Sequence, residues 1–367
     1  MKFNKKKSMA VLLTALLLLP VLAGCSKQTD AKPKAEIKET SAGTASVETP
    51  AKTASAKTPA GENASGGEPF KLTVAIDSGT FAYPFWVAEN KGIFDKYSIE
   101  PEFQTYAYGI DTVNAVTLDQ ADMGEAMDFA AISRLGGESQ LQFISFTAGN
   151  TMDGVHLYVF GDDIKEPKDL EGKSVVVQKG TVNEYIWEQL YTQYGIDSSK
   201  VNPLYISSTA EGMALVKSKE ADAIWAGGEI EDQVKELGGV PIGDYSLINF
   251  APRGFIAVKK DFLKENQEGL KRLLKALDEA TVYINGNPDD AAKLIQANFG
   301  IPAENIAKAL KSIEFDIRFS DDDLKQLDSV TKWSIKNKLV KYDFDIHDYI
   351  NLDIIRSVYP ERVTAGR

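Results

Sequence analysis

The sequence predicts an α/β protein of two lobes, each a mostly parallel sheet flanked by helices, with a cleft between them. Three observations predict it. The chain has 367 residues, 43% of them hydrophobic, too many for one small core and enough for one large domain or two lobes. Strand-like and helix-like segments alternate from about residue 70 onward, the pattern of parallel sheets covered on both faces. The chain also repeats itself at an offset of about 101 residues.

The leader comes first. Met1–Lys7 carries four lysines and no acid, and Ala10–Leu22 is an apolar run broken only by Thr14 and Pro20. Thirteen residues are short for a mature membrane span but suit the apolar region of a secretory signal. The run ends in Leu22-Ala23-Gly24-Cys25, which resembles the bacterial lipobox. That resemblance implies cleavage after residue 24, a diacylglycerol on Cys25, and anchorage on the extracytoplasmic face of a bacterial membrane. Losing residues 1–24 takes four lysines away and moves the formal charge from −12 to −16.

A tether, residues 25–69, follows. Ser26–Glu68 has no aromatic residue, and its large aliphatics are Ile37 and Val47 alone. Such a segment buries too little apolar surface to offset its ordering entropy, so disorder is expected. A coil of this length reaches roughly 35–40 Å. Phe70 is the first aromatic beyond the leader, and the fold is expected to begin there.

Lobe one is expected over 70–160 and lobe two over 161–253. Leu72–Ile76, Gly79-Thr80, an aromatic-rich helix ending near Gly92, and Ile93 are answered by Ser174–Val177, Gly180-Thr181, a helix ending near Gly195, and Ile196. Ile99-Glu100-Pro101 is answered by Val201-Asn202-Pro203, and Leu118–Met123 by Ser218–Ala223. Thr181-Val182-Asn183-Glu184 and Ser208-Thr209-Ala210-Glu211 fit the capping box that starts a helix. Ile186, Trp187, Leu190, Tyr191 and Tyr194 then fall at helical spacing.

The return to lobe one is expected over 254–367. Asp261–Asn285, Asp289–Phe299, Ala303–Ser312 and Asp321–Asn337 read as helices, punctuated by Gly286, Pro288, Gly300 and Pro302. Crossings between lobes are expected near Tyr158–Asp162 and Pro252–Phe255.

Composition excludes several functions. One cysteine and two histidines rule out a disulfide framework, a cysteine-rich metal site and a multi-histidine centre, so no metal and no cofactor is expected. Net negative charge repels nucleic-acid phosphates. Gly172-Lys173-Ser174 resembles the end of a P-loop, but Pro167 stands where glycine is needed and a strand follows. Asp343, Asp345, Asp348 and Asp353 suggest a calcium loop, yet Asp348 occupies the glycine position. No Gly-x-Ser-x-Gly elbow exists.

Four passages carry a family resemblance: Tyr83-Pro84-Phe85-Trp86-Val87-Ala88-Glu89-Asn90-Lys91-Gly92-Ile93-Phe94; Tyr108-Gly109 with Ala115 and Asp122-Met123-Gly124; Gly180-Thr181; and Phe255-Ile256-Ala257 with Asp261-Phe262-Leu263 and Asn287–Ala292. Together they resemble solute-binding proteins of ABC importers of the nitrate/sulfonate/taurine type, which share their fold with thiamine-pyrimidine binders. The resemblance implies a type II periplasmic-binding-protein-like fold. It implies a small-molecule ligand clamped between lobes, an ABC permease and its ATPase as partners, a monomer touching the membrane only through its lipid, and no catalysis. A pyrimidine-precursor synthase on the same fold is the enzyme alternative, but that branch relies on a cysteine-rich motif. A lipid-anchored sensor is a further alternative.

In such sheets ligands bind outside the carboxyl ends of the strands, where helix N-termini point. The candidate contacts in lobe one are therefore Thr80, Phe81, Tyr83, Tyr108, Gly109 and Asp128. Asp128 is equally suited to start the following helix. In lobe two they are Gly180, Thr181, Trp225 and Glu229, with Ser207 and Ser208 also at a helix start. Arg253, beside the second crossing, suits either an anion or a hinge salt bridge. Asp77, Glu125, Asp128 and Glu229 outnumber Arg253 and Lys179 in this region. That balance fits a zwitterion such as taurine, or an aromatic amine, better than a bare anion.

Overall fold

The computed structural model describes residues 68–106, 109–135, 140–179 and 181–366, with the backbone alone at Glu229. The leader, Cys25, the tether up to residue 67, Tyr108 and Gly180 lie outside the described residues. The described residues fall in one compact unit.

In lobe one, β1 (Phe70–Asp77) leads through a 3₁₀ turn (Thr80–Ala82) to α1 (Tyr83–Asn90) and α2 (Ile93–Lys96). Then come β2 (Ile99–Tyr106), α3 (Gly109–Thr117), β3 (Met123–Met127), α4 (Asp128–Leu135) and β4 (Leu141–Asn150). Lobe two contains β5 (Val155–Val159), β6 (Ser174–Gln178), α5 (Val182–Tyr194), β7 (Asn202–Ile206), α6 (Thr209–Lys217), β8 (Ala223–Gly227), α7 (Glu231–Glu236) and β9 (Val240–Asp244). The chain returns through β10 (Arg253–Lys259), α8 (Lys260–Glu265), α9 (Gln267–Gly286), α10 (Pro288–Phe299) and α11 (Ala303–Leu310). It ends with β11 (Ile313–Arg318), α12 (Asp321–Lys336) and α13 (Asp353–Val358).

The strand orders are β11-β4-β10-β3-β1-β2 and β7-β6-β8-β5-β9. Within them, β3-β1-β2 and β8-β6-β7 are one parallel unit built twice. The repeat extends to single bonds. Asp122 Oδ2 accepts the Thr73 N–H, and Asp222 Oδ2 accepts the Ser174 N–H, each at 2.7 Å. Asp119 and Lys219, just before them, both take φ of 62°.

Both sheets are mixed rather than mostly parallel. β10 runs antiparallel to β3 and β4, and β5 antiparallel to β8 and β9. The cause is the crossing itself, because a strand arriving from the other lobe must run against those that leave toward it. The first crossing also falls earlier than the sequence suggests. β5 pairs with β8 of lobe two, so lobe one's first part stops near residue 150 rather than 160, and the chain crosses at 151–154. Gly154 is required at this point, since a Cβ on it would lie 2.9 Å from the Ser312 carbonyl. The second crossing, between β9 and β10, ends at Pro252. The two segments are bonded side by side: Asn150 N–H to the Pro252 carbonyl and Tyr245 N–H to the Met152 carbonyl, both 3.0 Å.

Local chemistry sets the helix ends. Thr181 Oγ1 accepts the Asn183 N–H at 3.2 Å, and Gly195 closes α5 at φ 59°. Ser208 Oγ accepts the Glu211 N–H, while the Glu211 carboxylate reaches back to the N–H and hydroxyl of Ser207. The expected helix over 261–285 is instead two, α8 and α9, broken at Asn266, whose φ of −120° is not helical. Leu270, Leu273, Leu274 and Leu277 of α9 are fully buried, as their stripe predicts.

Candidate functional site

Lobe one offers two carboxylates at the ends of neighbouring parallel strands. Asp77 closes β1 and Glu125 lies two residues before the end of β3. Asp77 Oδ1 accepts the Gly79 N–H at 2.7 Å; burial still pushes its pKa above the ordinary value, opposed by that bond. Glu125 is 1% exposed, and its Oε1 has no hydrogen-bond partner among the described residues. Burial pushes this carboxyl well above the usual range, and the charge of Asp77 adds to the push. Glycines stand where these oxygens point. A Cβ would lie 2.8 Å from Asp77 Oδ1 at Gly79, 3.3 Å from Asp77 Oδ2 at Gly109, and 2.5 Å from Glu125 Oε1 at Gly254.

Around this pair stand the other lobe-one candidates. Thr80 and Phe81 form the 3₁₀ turn after β1; Phe81 is buried, and a Cβ on Gly254 would touch its ring edge. Tyr83 is buried at the start of α1, its ring 5.9 Å from that of Phe299. Gly109 begins α3.

Asp128 begins α4 and is completely buried. Its Oδ1 accepts the Phe129 N–H at 2.7 Å and its Oδ2 accepts from Gln326 Nε2 at 2.6 Å. Desolvation raises its pKa to about 6, partly opposed by those bonds and by Arg253. Arg253 Nη1 is committed to Asp323 Oδ1 at 2.7 Å, and Arg318 Nε approaches the other oxygen of Asp323 at 3.4 Å.

In lobe two, Thr181 caps α5. Trp225 lies in β8, 6% exposed, with its ring 6.0 Å from Trp187 and 5.4 Å from Tyr245, and its Nε1 lacks an acceptor. Lys179 stands over the Tyr205 ring at 5.1 Å. The two lobes meet at these ends. The charge of Asp128 is felt by Tyr185 of α5 and by Tyr245. The Tyr185 ring packs edge-on against Phe250 at 4.7 Å and against Trp333 of α12 at 5.1 Å. Lys308 of α11 pairs with Asp232 of α7.

The structure thus gathers Thr80, Phe81 and Gly109 near Asp77 and Glu125, and sets Asp128 against lobe two. It engages Arg253 within the protein and gives Trp225 aromatic neighbours. Asp77 and Glu125 were visible in the sequence only as part of a charge balance. The sharper signal was Glu125 itself, the one charged residue within the otherwise uncharged strand Met123–Met127. A groove of about 410 Å³ lined by α5, β7 and the end of α12, including Glu184, Tyr191 and Asn337, contains none of the candidates. Among the described residues no group of three or more His, Cys, Asp or Glu is disposed to hold a metal. No helix among them is long and apolar enough to cross a membrane.

Two α/β lobes built on a repeated parallel unit, joined by two adjacent crossings, define a bilobal binding-protein fold. The profile of the NMT1/THI5-like family matches residues 80–291, and the chain belongs to that family. A Bacillus subtilis (strain 168) protein named for binding aliphatic sulfonates is 23% identical over 77% of this chain and 87% of its own. The periplasmic aliphatic sulphonate binding protein SsuA of Escherichia coli superposes with a TM-score of 0.69 at 18% identity, covering 77% of this chain and 92% of that one. The desulfurization enzyme DSZB has the same fold, with a TM-score of 0.58 at 15% identity over 80% and 99% of the two chains.

Proposed function

We propose that this chain is the extracytoplasmic solute-binding component of an ABC importer, anchored by lipid on Cys25, that closes its lobes over a small organic sulfonate. The observation that carries the reading is the repeated unit itself. It brings strand ends and helix starts of two lobes together across two short crossings, the arrangement in which a ligand stabilises one closed state by differential affinity. Family membership and the sulfonate-binding relative support the ligand class. Thr80, Phe81, Tyr83, Tyr108, Gly109 and Asp128 are the contacts proposed from lobe one. Gly180, Thr181, Trp225, Glu229 and Arg253 are those proposed from lobe two and the second crossing. The Thr80 and Thr181 hydroxyls and the Trp225 Nε1 are suited to sulfonate oxygens. The fold also hosts an enzyme, DSZB, so fold alone does not decide against catalysis. Binding without turnover is proposed here because the sequence relative is named for binding.

A thermal-shift panel of alkane and aryl sulfonates, taurine, nitrate and pyrimidines tests the reading. A ligand specific for the folded state at 100 times its Kd adds about 2.7 kcal/mol, so a sulfonate of that affinity raises the midpoint by several degrees. No shift with any sulfonate removes the assignment.

A further inference from the structure

The charged groups at the end of lobe one's parallel strands do not suit a purely anionic solute. Glu125 Oε1 is buried and has no hydrogen-bond partner among the described residues, and a buried acceptor left unpaired is costly. Its nearest ionisable neighbour in electrostatic terms is Asp77, a second acid. Among the described residues no cation is paired with them. Arg253 and Arg318 are turned to Asp323, and Lys179 lies over Tyr205. Three glycines keep side chains away from these oxygens. At Gly79 and Gly254 even a methyl group would approach within 3.0 Å, and at Gly109 it would crowd Asp77 Oδ2. Glu125 Oε1 is thus buried and without a partner among the described residues, beside Asp77, whose Oδ1 holds the Gly79 N–H, and both acids lie toward the carboxyl ends of parallel strands, where this fold presents ligand contacts.

We infer that Glu125 and Asp77 form a subsite for a positively charged group of the ligand, a primary ammonium or an equivalent N–H cation, held from lobe one. The inference rests on the proposed role of the chain as a solute binder that closes its lobes over the ligand. It narrows the cargo from sulfonates in general to solutes that also carry a cation. In this subsite the ammonium donates to the unpaired Glu125 Oε1 and is neutralised by the Asp77–Glu125 pair. Burial raises both carboxyls in the absence of such a partner, so the cation would meet Glu125 as it gives up its proton. Phe81, packed beside Gly254, closes the subsite with an aromatic edge.

The test is calorimetric titration of the full chain with three probes: taurine, its amine-free counterpart propane-1-sulfonate, and propylamine, which lacks the sulfonate. Wild type is compared with Glu125→Gln and Asp77→Asn, each checked for an intact unliganded melting transition. The expected result is that an amine-bearing probe binds wild type and loses at least about tenfold in affinity in both variants. The taurine-to-propane-1-sulfonate affinity ratio falls by the same factor. Equal affinity for taurine and propane-1-sulfonate, an unchanged ratio in Glu125→Gln, or no binding by either amine would each overturn the inference. The two proposals fail separately. Propane-1-sulfonate binding alone keeps the sulfonate reading and removes the cation subsite. Propylamine binding that is lost in Glu125→Gln, with no response to either sulfonate, keeps the subsite and removes the sulfonate.

Discussion

Tyr185 of lobe two meets Trp333 of α12 edge-on, with ring centroids 5.1 Å apart. Tyr185 also packs on Phe250 and Trp333 on Phe129, so one aromatic chain links α4, α12, the second crossing and the first turns of α5. These rings are one place where the lobes hold each other, alongside the Lys308–Asp232 pair. A double-mutant cycle on Tyr185→Ala and Trp333→Ala, read by urea denaturation, is expected to give a coupling of about 0.5–1.5 kcal/mol. Additive effects would place the two residues in independent units.

The bond from Asp122 to Thr73 N–H in lobe one, repeated by Asp222 and Ser174 in lobe two, ties the segment after α3 to β1 and the segment after α6 to β6. A charge-assisted bond to a backbone donor contributes on the order of 1.5–3 kcal/mol. Asp122→Ala and Asp222→Ala should each lower stability by about that amount, measured from denaturation midpoints. A change within experimental error for both would show the repeat to be held by packing alone.

Asp128 gives a pH signature. Its folded pKa is raised to about 6, whereas an unfolded aspartate titrates near 3.9. Between those values the folded state holds a proton that the unfolded state has lost, so stability falls as pH rises through the window and levels above it. Relative to Asp128→Asn, wild type should lose about 2 kcal/mol between pH 4 and pH 7. Chemical denaturation at several pH values measures it. A difference that stays flat or rises would mean that Gln326, Phe129 N–H and Arg253 outweigh the desolvation.

Trp225 has a buried ring and an indole N–H without acceptor. If that N–H and ring edge serve the ligand, Trp225→Ala weakens binding by about 1 kcal/mol or more, roughly fivefold in Kd. Unchanged affinity with lowered stability would return Trp225 to a packing role against Trp187 and Tyr245.

The two-lobed plan was legible because a repeated unit leaves a repeated pattern: the same apolar strand, small-residue turn and helix appear at a fixed offset. The first crossing was not, since β4 and β5 are both apolar and only the 151–154 turn divides them. Nothing in single-residue chemistry says that Leu157 and Tyr158 pair with β8 of the other lobe. Helix starts were readable from Thr181 and Ser208, whose hydroxyls do cap, but neither closes the reciprocal box of the sequence pattern: Thr181 takes the Asn183 N–H, and the Glu211 carboxylate returns to Ser207. The break at Asn266 was hidden in a continuous helical pattern. At the site, position after a strand end was readable, but partnership was not. Arg253 suited either an anion or a salt bridge, and only the structure shows Asp323, seventy residues further along the chain, as its partner; Glu125 gained its significance from having no such partner among the described residues.

The most direct measurement is a calorimetric titration of the protein with the sulfonate giving the largest thermal shift, repeated on one variant from each lobe, Thr80→Val and Thr181→Val. A solute clamped between lobes gives one site per chain and weaker binding in both variants. Binding weakened by one lobe's variant alone, or a stoichiometry other than one, would contradict a ligand held between the lobes.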